Sequence, residues 1–185
     1  MKRGFIVSVK EEVNHVDEIA GSPVHYCGVG KLNAAIGAGE LINKGVTEII
    51  NIGSCGSTQY PLGEIIKVGK VYQDIDCSPI CEYGLTAFDE NPQPFILLDE
   101  HSPHTCFSTD YFYDHAQIEK YSPHYLQMIK SSSIFDMELY AIAKVCKKKG
   151  IKLSAYKWVS DDGDFSKWLE NCKMASQKII ALLSQ

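Results

Sequence analysis

Short apolar runs alternate along this chain with segments in which apolar residues recur every three or four positions. A continuous apolar run is typical of a buried strand, and the second spacing is typical of a helix with one buried face. Strands are predicted at 4–9, 24–27, 47–52, 64–72, 95–98, 105–107 and 152–159. Helices are predicted at 10–20, 28–43, in parts of 114–131, at 138–149 and from about 166 onward.

The alternation of the two patterns predicts an α/β fold, a single domain over residues 1–185 with a mixed central sheet flanked by helices. A chain of 185 residues that is 45% hydrophobic can bury a sizeable core. It shows no repeat and no linker-like composition. The last helix is expected to bury one face, formed by Trp168, Cys172, Ala175, Ile179 and Leu182.

The segment Phe135-Asp136-Met137-Glu138 places an acidic pair where an apolar helix begins. The helical face that follows is made of Leu139, Ile142, Ala143 and Cys146. Three lysines before Gly150 suit the last turn and stop of a helix. Glu138 is expected in the first turn, where a carboxylate can serve the helix dipole or bind a ligand.

Polar residues follow three of the predicted strands. Glu12 comes after the first strand, Ser54 lies in a predicted Gly/Ser loop after the third, and Ser160-Asp161 follow the last. The carboxyl ends of strands are the usual ligand edge of an α/β sheet, so these side chains can converge on one side. Taken singly, Glu12 can also be a first-turn helix carboxylate and Asp161 part of a helix cap.

Charge and cysteine usage exclude several classes of function. The net charge is −5 and the one basic run is Lys147–Lys149, so nucleic-acid binding is not expected. No apolar run approaches the roughly 20 residues of a membrane span, and the N-terminus does not have the pattern of a signal peptide. Seven irregularly spaced cysteines favour free thiols in a reducing cytoplasm over a disulfide framework.

Familiar ligand motifs are incomplete. Gly28-Val29-Gly30-Lys31 is followed by Leu32 rather than Ser or Thr, so it is not a phosphate-binding P-loop, and a tight turn explains it. The acidic residues after Ser160 do not have the ligand pattern of a calcium loop. No serine lies in a nucleophile elbow, and no metal site is predicted.

Six segments, in order, resemble the nucleoside phosphorylase and nucleosidase superfamily, above all the 5'-methylthioadenosine/S-adenosylhomocysteine nucleosidases. They span nearly the whole chain. The segments are 4–13 (GFIVSVKEEV), 28–35 (GVGKLNAA), 50–56 (INIGSCG), 107–113 (FSTDYFY), 135–138 (FDME) with its helix, and 158–161 (WVSD).

The resemblance assigns a role to each matching residue. Glu12 corresponds to the carboxylate that activates the attacking water, and Asp161, steered by Ser160, to the general acid at the purine N7. Met137 and Glu138 correspond to ribose-binding residues. The remaining matches are Gly53 and Ser54 near the anomeric carbon, Phe112 and Tyr113 at the base, and Lys157 where nucleosidases usually have arginine.

These roles suit cleavage of an N-glycosidic bond, which passes through an oxocarbenium-like ribosyl cation. A buried carboxyl with a raised pKa can protonate the departing purine, and an ionised carboxylate stabilises the cation. No metal or organic cofactor is required. The expected substrate is a purine nucleoside, 5'-methylthioadenosine or S-adenosylhomocysteine. The resemblance also implies a cytoplasmic homodimer or larger homo-oligomer.

Two other functions stay open. A phosphate-dependent purine nucleoside phosphorylase would share the 53–56 and 107–113 segments, but Asn51 occupies the position where phosphorylases usually have a phosphate-binding arginine. A nucleoside-binding protein without turnover is the other alternative. It is suggested by the segment between Glu12 and Gly28, which is shorter than in family members.

Overall fold

A mixed sheet of ten strands organises the described part of the chain, which comprises residues 2–172, 174 and 176–184 of this computed structural model. In chain order the strands are β1 (Arg3–Val7), β2 (Glu18–Ile19), β3 (Ser22–Tyr26), β4 (Glu48–Gly56), β5 (Ile65–Lys67), β6 (Lys70–Gln73), β7 (Phe95–Leu97), β8 (Thr105–Ser108), β9 (Ile134–Asp136) and β10 (Lys152–Asp161). The helices are α1 (Lys31–Asn43), α2 (Pro123–Ser131), α3 (Leu139–Lys149), α4 (Phe165–Asn171) and α5 (Ser176–Leu183), with 3₁₀ helices at Lys10–Val13 and His115–Lys120. The predicted α/β class and mixed sheet are confirmed.

Strand β4 lies at the centre of this sheet. It pairs in parallel with β1 on one side and with β10 on the other, and Gly56 at its end pairs with Phe135 of antiparallel β9. Beyond β1 the sheet continues to β3 and β2, and beyond β9 to β8, β6 and β7. Because helices cover its centre, β4 is a nearly continuous run of buried residues.

Helix α3 buries the apolar face that its spacing predicts. Helices α1 and α3 pack side by side on one face of the sheet, and the predicted α3 face is buried throughout: Leu139, Ile142, Ala143 and Cys146. Helix α3 ends at Gly150, whose φ of 66° lies in the left-handed region that favours glycine. On the other face, Ile179 of α5 packs with Phe5 and Trp158. None of the helices in the described residues is long and apolar enough to cross a membrane.

The helix predicted at 10–20 is wrong. One 3₁₀ helix covers Lys10–Val13, and the chain then turns into the β2–β3 hairpin. Asn14 and His15 have φ values of 53° and 58°, which a helix cannot continue. Val13 and Ile19 nevertheless lie in the same hydrophobic cluster. The turn and hairpin therefore bury the apolar residues whose spacing indicated a helix.

The Gly/Ser loop predicted after residue 52 is also wrong. Strand β4 runs through Gly56, because β10 pairs with it residue by residue, with Lys157 opposite Gly53 and Trp158 opposite Ser54. The strand predicted at 64–72 is divided into β5 and β6.

The single helix predicted from about residue 166 is two helices, α4 and α5. Cys172 and Ile179 are buried as expected, whereas Leu182 is 48% exposed, which is wrong for an inner face. Ala175 lies outside the described residues.

Candidate active site

The strand ends that the sequence marked as polar surround one cavity of about 320 Å³. Seven of the predicted site residues line it: Glu12, Ser54, Phe112, Tyr113, Met137, Glu138 and Asp161. Parallel pairing of β1, β4 and β10 brings their carboxyl ends to one edge, and β9 adds Met137 and Glu138 from beyond β4. The predicted convergence of the strand ends is therefore confirmed.

Glu12 is held by three hydrogen bonds at the base of the cavity and is 3% exposed. Oε1 accepts the Ser54 backbone N–H at 2.7 Å and the Ser54 hydroxyl at 2.6 Å. Oε2 accepts a longer bond of 3.3 Å from the Val9 N–H. Burial raises the pKa of Glu12, although the charge of Lys157 and the Ser54 donors oppose the rise. Oε2 accepts only the longer bond and is therefore better able than Oε1 to accept a further hydrogen bond or a proton.

Glu138 precedes α3 as its N-cap residue rather than lying in its first turn. Its Oε1 accepts the backbone N–H of Gly30 at 2.8 Å, so the turn before α1 is tied to the N-terminus of α3. Burial, with the nearby Asp136 charge, raises the pKa of Glu138 to about 7, against the opposing charge of Lys157. A carboxylate with this pKa can be ionised or protonated near neutral pH.

Behind Glu138 lies a buried ion pair. Lys157 Nζ is 2.8 Å from Asp136 Oδ2, and both side chains are 1% exposed. Burial disfavours the charged form of Lys157, but Asp136 and Glu138 outweigh burial and raise its pKa. Burial would also raise the pKa of Asp136, yet the Lys157 charge prevails and lowers it. Asp136 lines the cavity and Lys157 does not, so Lys157 acts on the cavity through its charge.

Asp161 ends β10 with its carboxyl group buried at 2% exposure. Oδ1 accepts the Gly163 N–H at 2.9 Å. Oδ2 lies 2.8 Å from the Ser160 hydroxyl, which is also 3.1 Å from the Cys55 carbonyl oxygen. Burial raises the pKa of Asp161, although the Gly163 and Ser160 donors oppose the rise. Ser160 lies outside the cavity lining and orients Asp161 from behind.

Aromatic rings close one side of the cavity. Phe112 meets Phe165 edge-on at 5.2 Å between ring centroids, and Phe165 stacks on Trp168 at 5.8 Å. The Trp168 indole N–H donates to Ser54 Oγ at 3.1 Å. Tyr113, by contrast, is 7% exposed and meets Phe135 edge-on at 5.3 Å, so it supports the wall more than it faces the space.

Three predicted site residues lie outside the lining: Gly53, Lys157 and Ser160. A Cβ at Gly53 would lie 3.1 Å from Glu12 Oε1, so this position has room for little more than glycine. Sequence analysis missed Asp136, Phe165 and Trp168 as site residues. The acidic pair of 135–138 was a usable signal for Asp136, whereas only the folded position of α4 brings the two aromatic rings to the cavity.

The cavity is acidic and offers no cation. Its lining contains Glu12, Asp136, Glu138 and Asp161, and none of its described lining residues is Lys, Arg or His. Asn51 lies in the core rather than at the cavity, 1% exposed, and its Nδ2 donates to the Ile6 carbonyl oxygen at 3.1 Å. The described residues contain no group of three or more His, Cys, Asp or Glu that could hold a metal ion.

A model of one protein family matches residues 15–185, and its description is the phosphorylase superfamily. No curated protein matches the sequence. The family model covers more than nine-tenths of the 185 residues of this chain.

Solved structures share the fold at low identity. Futalosine hydrolase of Helicobacter pylori strain 26695 superposes with a TM-score of 0.82 and 19% identity, over 99% of this chain and 95% of that one. The H. pylori 5'-methylthioadenosine/S-adenosylhomocysteine nucleosidase with butyl-thio-DADMe-Immucillin-A gives 0.81 and 19%, over 99% and 96%. The S. pneumoniae nucleosidase with a transition-state inhibitor gives 0.78 and 20%, over 100% and 99%.

Proposed function

Because this chain belongs to the phosphorylase superfamily, we propose that it hydrolyses the N-glycosidic bond of a purine nucleoside and releases the base. The observation that carries the proposal is the set of buried carboxylates on one cavity with no basic side chain in its described lining. The substrates proposed are 5'-methylthioadenosine and S-adenosylhomocysteine, which release adenine.

Glu12 and Asp161 have complementary roles in the proposed reaction, Glu12 as general base and Asp161 as general acid. Glu12 Oε2, which accepts one long hydrogen bond, takes a proton from the attacking water. Asp161, with its pKa raised by burial, gives a proton to the departing purine, which leaves poorly as an anion. Ser160 and the Gly163 N–H hold the Asp161 carboxyl in place for that transfer.

Glu138 and Met137, which line the cavity, are proposed to hold the sugar. Glu138 Oε2 has no bond comparable to that of Oε1 with Gly30 among the contacts of the described residues, so it can accept ribose hydroxyls. Such donors favour the ionised form, which also stabilises the positive charge that develops on the ribosyl group. Phe112 lies at the aromatic side of the cavity and is proposed to stack on the base, beside Tyr113.

Phosphorolysis is the weaker alternative because it needs a bound phosphate. Phosphate would enter a space lined by four carboxylates and lacking a described Lys, Arg or His. The core position of Asn51 removes it as a phosphate ligand. Water needs no such cation, and the cavity therefore favours hydrolysis.

Base release in phosphate-free buffer, measured by chromatography over a panel of purine nucleosides, tests the proposal. The panel contains 5'-methylthioadenosine, S-adenosylhomocysteine, adenosine, inosine and futalosine. We expect release at the same rate with and without phosphate. Strict phosphate dependence would establish a phosphorylase instead. Absence of turnover, with a nucleoside-induced rise in melting temperature, would favour a binding protein.

Matched variants locate the chemistry. Glu12→Gln and Asp161→Asn are each expected to reduce turnover by about 10²- to 10⁴-fold, the usual contribution of a general acid or base. Glu11→Gln and Asp162→Asn change exposed neighbours of the same types, and they should retain turnover. The assigned roles would be contradicted if Glu11→Gln and Asp162→Asn lost as much turnover as Glu12→Gln and Asp161→Asn.

We also propose that the chain forms a homodimer or larger homo-oligomer in the cytoplasm. Leu32 and Ile36 of α1 are 76% and 53% exposed, and adjacent Val29 is 47% exposed while lining the cavity. Leu32 and Ile36 lie four residues apart on one helix face, so a second copy could cover them beside the cavity mouth. The cysteines of the described residues are free thiols, which suits a reducing compartment.

A further inference from the structure

We propose that Trp168 is a positioning residue for Glu12, acting through a directed hydrogen-bond chain from its indole N–H to Ser54 Oγ and on to Glu12 Oε1. The inference rests on the proposed hydrolysis, in which Glu12 accepts the proton of the attacking water. Trp168 lies 114 residues from Ser54 in sequence, and α4 brings it to the wall of the cavity.

The direction of the chain follows from the chemistry of its members. An indole N–H donates and cannot accept, so at 3.1 Å the Ser54 oxygen is the acceptor from Trp168. The Ser54 hydroxyl then directs its single proton to Glu12 Oε1 at 2.6 Å. The indole N–H thereby disfavours the rotamer in which the hydroxyl proton points toward Trp168 and away from Glu12.

This arrangement assigns different tasks to the two oxygens of Glu12. Oε1 is saturated by the Ser54 N–H and hydroxyl, both within 2.7 Å. Oε2 accepts one bond of 3.3 Å and is therefore the oxygen proposed to take the proton from the attacking water. Hydrogen bonds in a chain polarise one another, so the indole makes the Ser54 hydroxyl a stronger donor and favours the ionised carboxylate.

Other ionisable groups act on Glu12 from the elements around it. These are Lys157 of β10, Glu138 before α3, Cys27 after β3 and Cys55 of β4. Glu138, whose pKa is raised to about 7, lines the same cavity, so its titration could be confused with that of Glu12. The test must therefore separate Glu12 from Glu138.

Trp168→Phe keeps an aromatic ring against Phe165 and removes the N–H. Turnover is expected to fall about three- to ten-fold, as for loss of one hydrogen bond, with little change in KM. The acidic limb of the pH–rate profile should move upward by as much as about one pH unit, because Glu12 loses support for its ionised form. Trp158→Phe is the matched control, since the buried Trp158 Nε1 has no hydrogen-bond partner among the described residues.

A measurement without turnover separates this inference from the proposed function. The chain has two tryptophans, so 5-fluorotryptophan labelling gives two ¹⁹F resonances, which Trp168→Phe assigns. The Trp168 resonance should titrate with pH, keep that titration in Glu138→Gln and lose it in Glu12→Gln. This pattern would support the hydrogen-bond chain from Trp168 to Glu12 even if none of the nucleosides is cleaved.

The inference is overturned by either of two results. One is a Trp168 resonance that does not titrate, or that titrates unchanged in Glu12→Gln. The other is turnover in which Trp168→Phe and Trp158→Phe have the same rate and pH profile.

Discussion

Removal of the Lys157 ammonium should destabilise the fold and change the charge behind the cavity. Lys157→Met keeps most of the apolar stem and deletes the charge that lies 2.8 Å from Asp136. The Asp136 carboxylate, 1% exposed, then keeps two close donors, the Ser108 hydroxyl at 2.5 Å and the Leu139 N–H at 3.0 Å. It remains buried without a counter-ion.

The expected loss follows from this geometry. Breaking a buried pair by removing one partner costs about 3–5 kcal/mol. The two remaining donors partly solvate Asp136, which places the loss near the lower end, at about 3 kcal/mol at neutral pH. With Lys157 gone, burial, the largest influence on Asp136, is opposed only by the Ser108 and Leu139 donors, and we expect it to raise the folded-state pKa above the unfolded value. The stability that this carboxyl contributes is then lost as pH rises, so the deficit should be smaller in acid.

Urea unfolding of the wild type and variants, followed by circular dichroism at neutral and acidic pH, measures these losses. The double variant with Asp136→Asn and Lys157→Met should recover much of the loss, because neither charge remains buried. Lys167→Met breaks an exposed pair with Asp162 and should cost less than about 1 kcal/mol. The reasoning is refuted if Lys157→Met costs no more than Lys167→Met, or if its deficit does not shrink in acid.

Two further predictions concern Glu138 and the exposed face of α1. The folded-state pKa of Glu138, about 7 against 4.5, lies above its unfolded value, so its contribution to stability is full below about 4.5 and is lost as pH rises through about 7. Between pH of about 4.5 and about 7, the free energy of unfolding should therefore fall by about 1–3 kcal/mol less in Glu138→Gln than in the wild type. Urea titrations at several pH values measure this difference. An unchanged slope would contradict the raised pKa. Leu32→Glu should convert the proposed oligomer to a monomer in light scattering, whereas Leu62→Glu, at an exposed apolar residue elsewhere, should not; a wild-type monomer would exclude association.

Much of the fold could be predicted from local patterns. The buried face of α3 followed from its spacing, and Gly150 marked its end because a left-handed residue suits the stop. The errors lay where a tertiary partner overrode local composition. Glycines at 53 and 56 suggested a loop, but residue-by-residue pairing with β10 keeps them in β4. Likewise Val13 and Ile19 suggested a helix, although a hairpin buries both.

The candidate site divides in the same way. Glu12, Ser54 and Asp161 could be placed together because they lie at or just beyond the carboxyl ends of strands that share one edge. Their roles came from the resemblance and remain proposals. Nothing local distinguished Trp168 from a core residue, because its partner Ser54 is 114 positions away.

The sequence by itself determined most of the strands and helices, and with them the polar residues at or near strand ends, but not the hairpin after Val13, the continuation of β4 to Gly56 or strand β9. Periodicity carries that information because each residue's burial depends on its place in a local repeat. Only the tertiary structure decided that Asp136 pairs with Lys157, that Glu138 bonds Gly30, and that Trp168 reaches Ser54. Those contacts depend on the pairing of β10 with β4 and on the position of α4, which bring together residues with no local pattern in common.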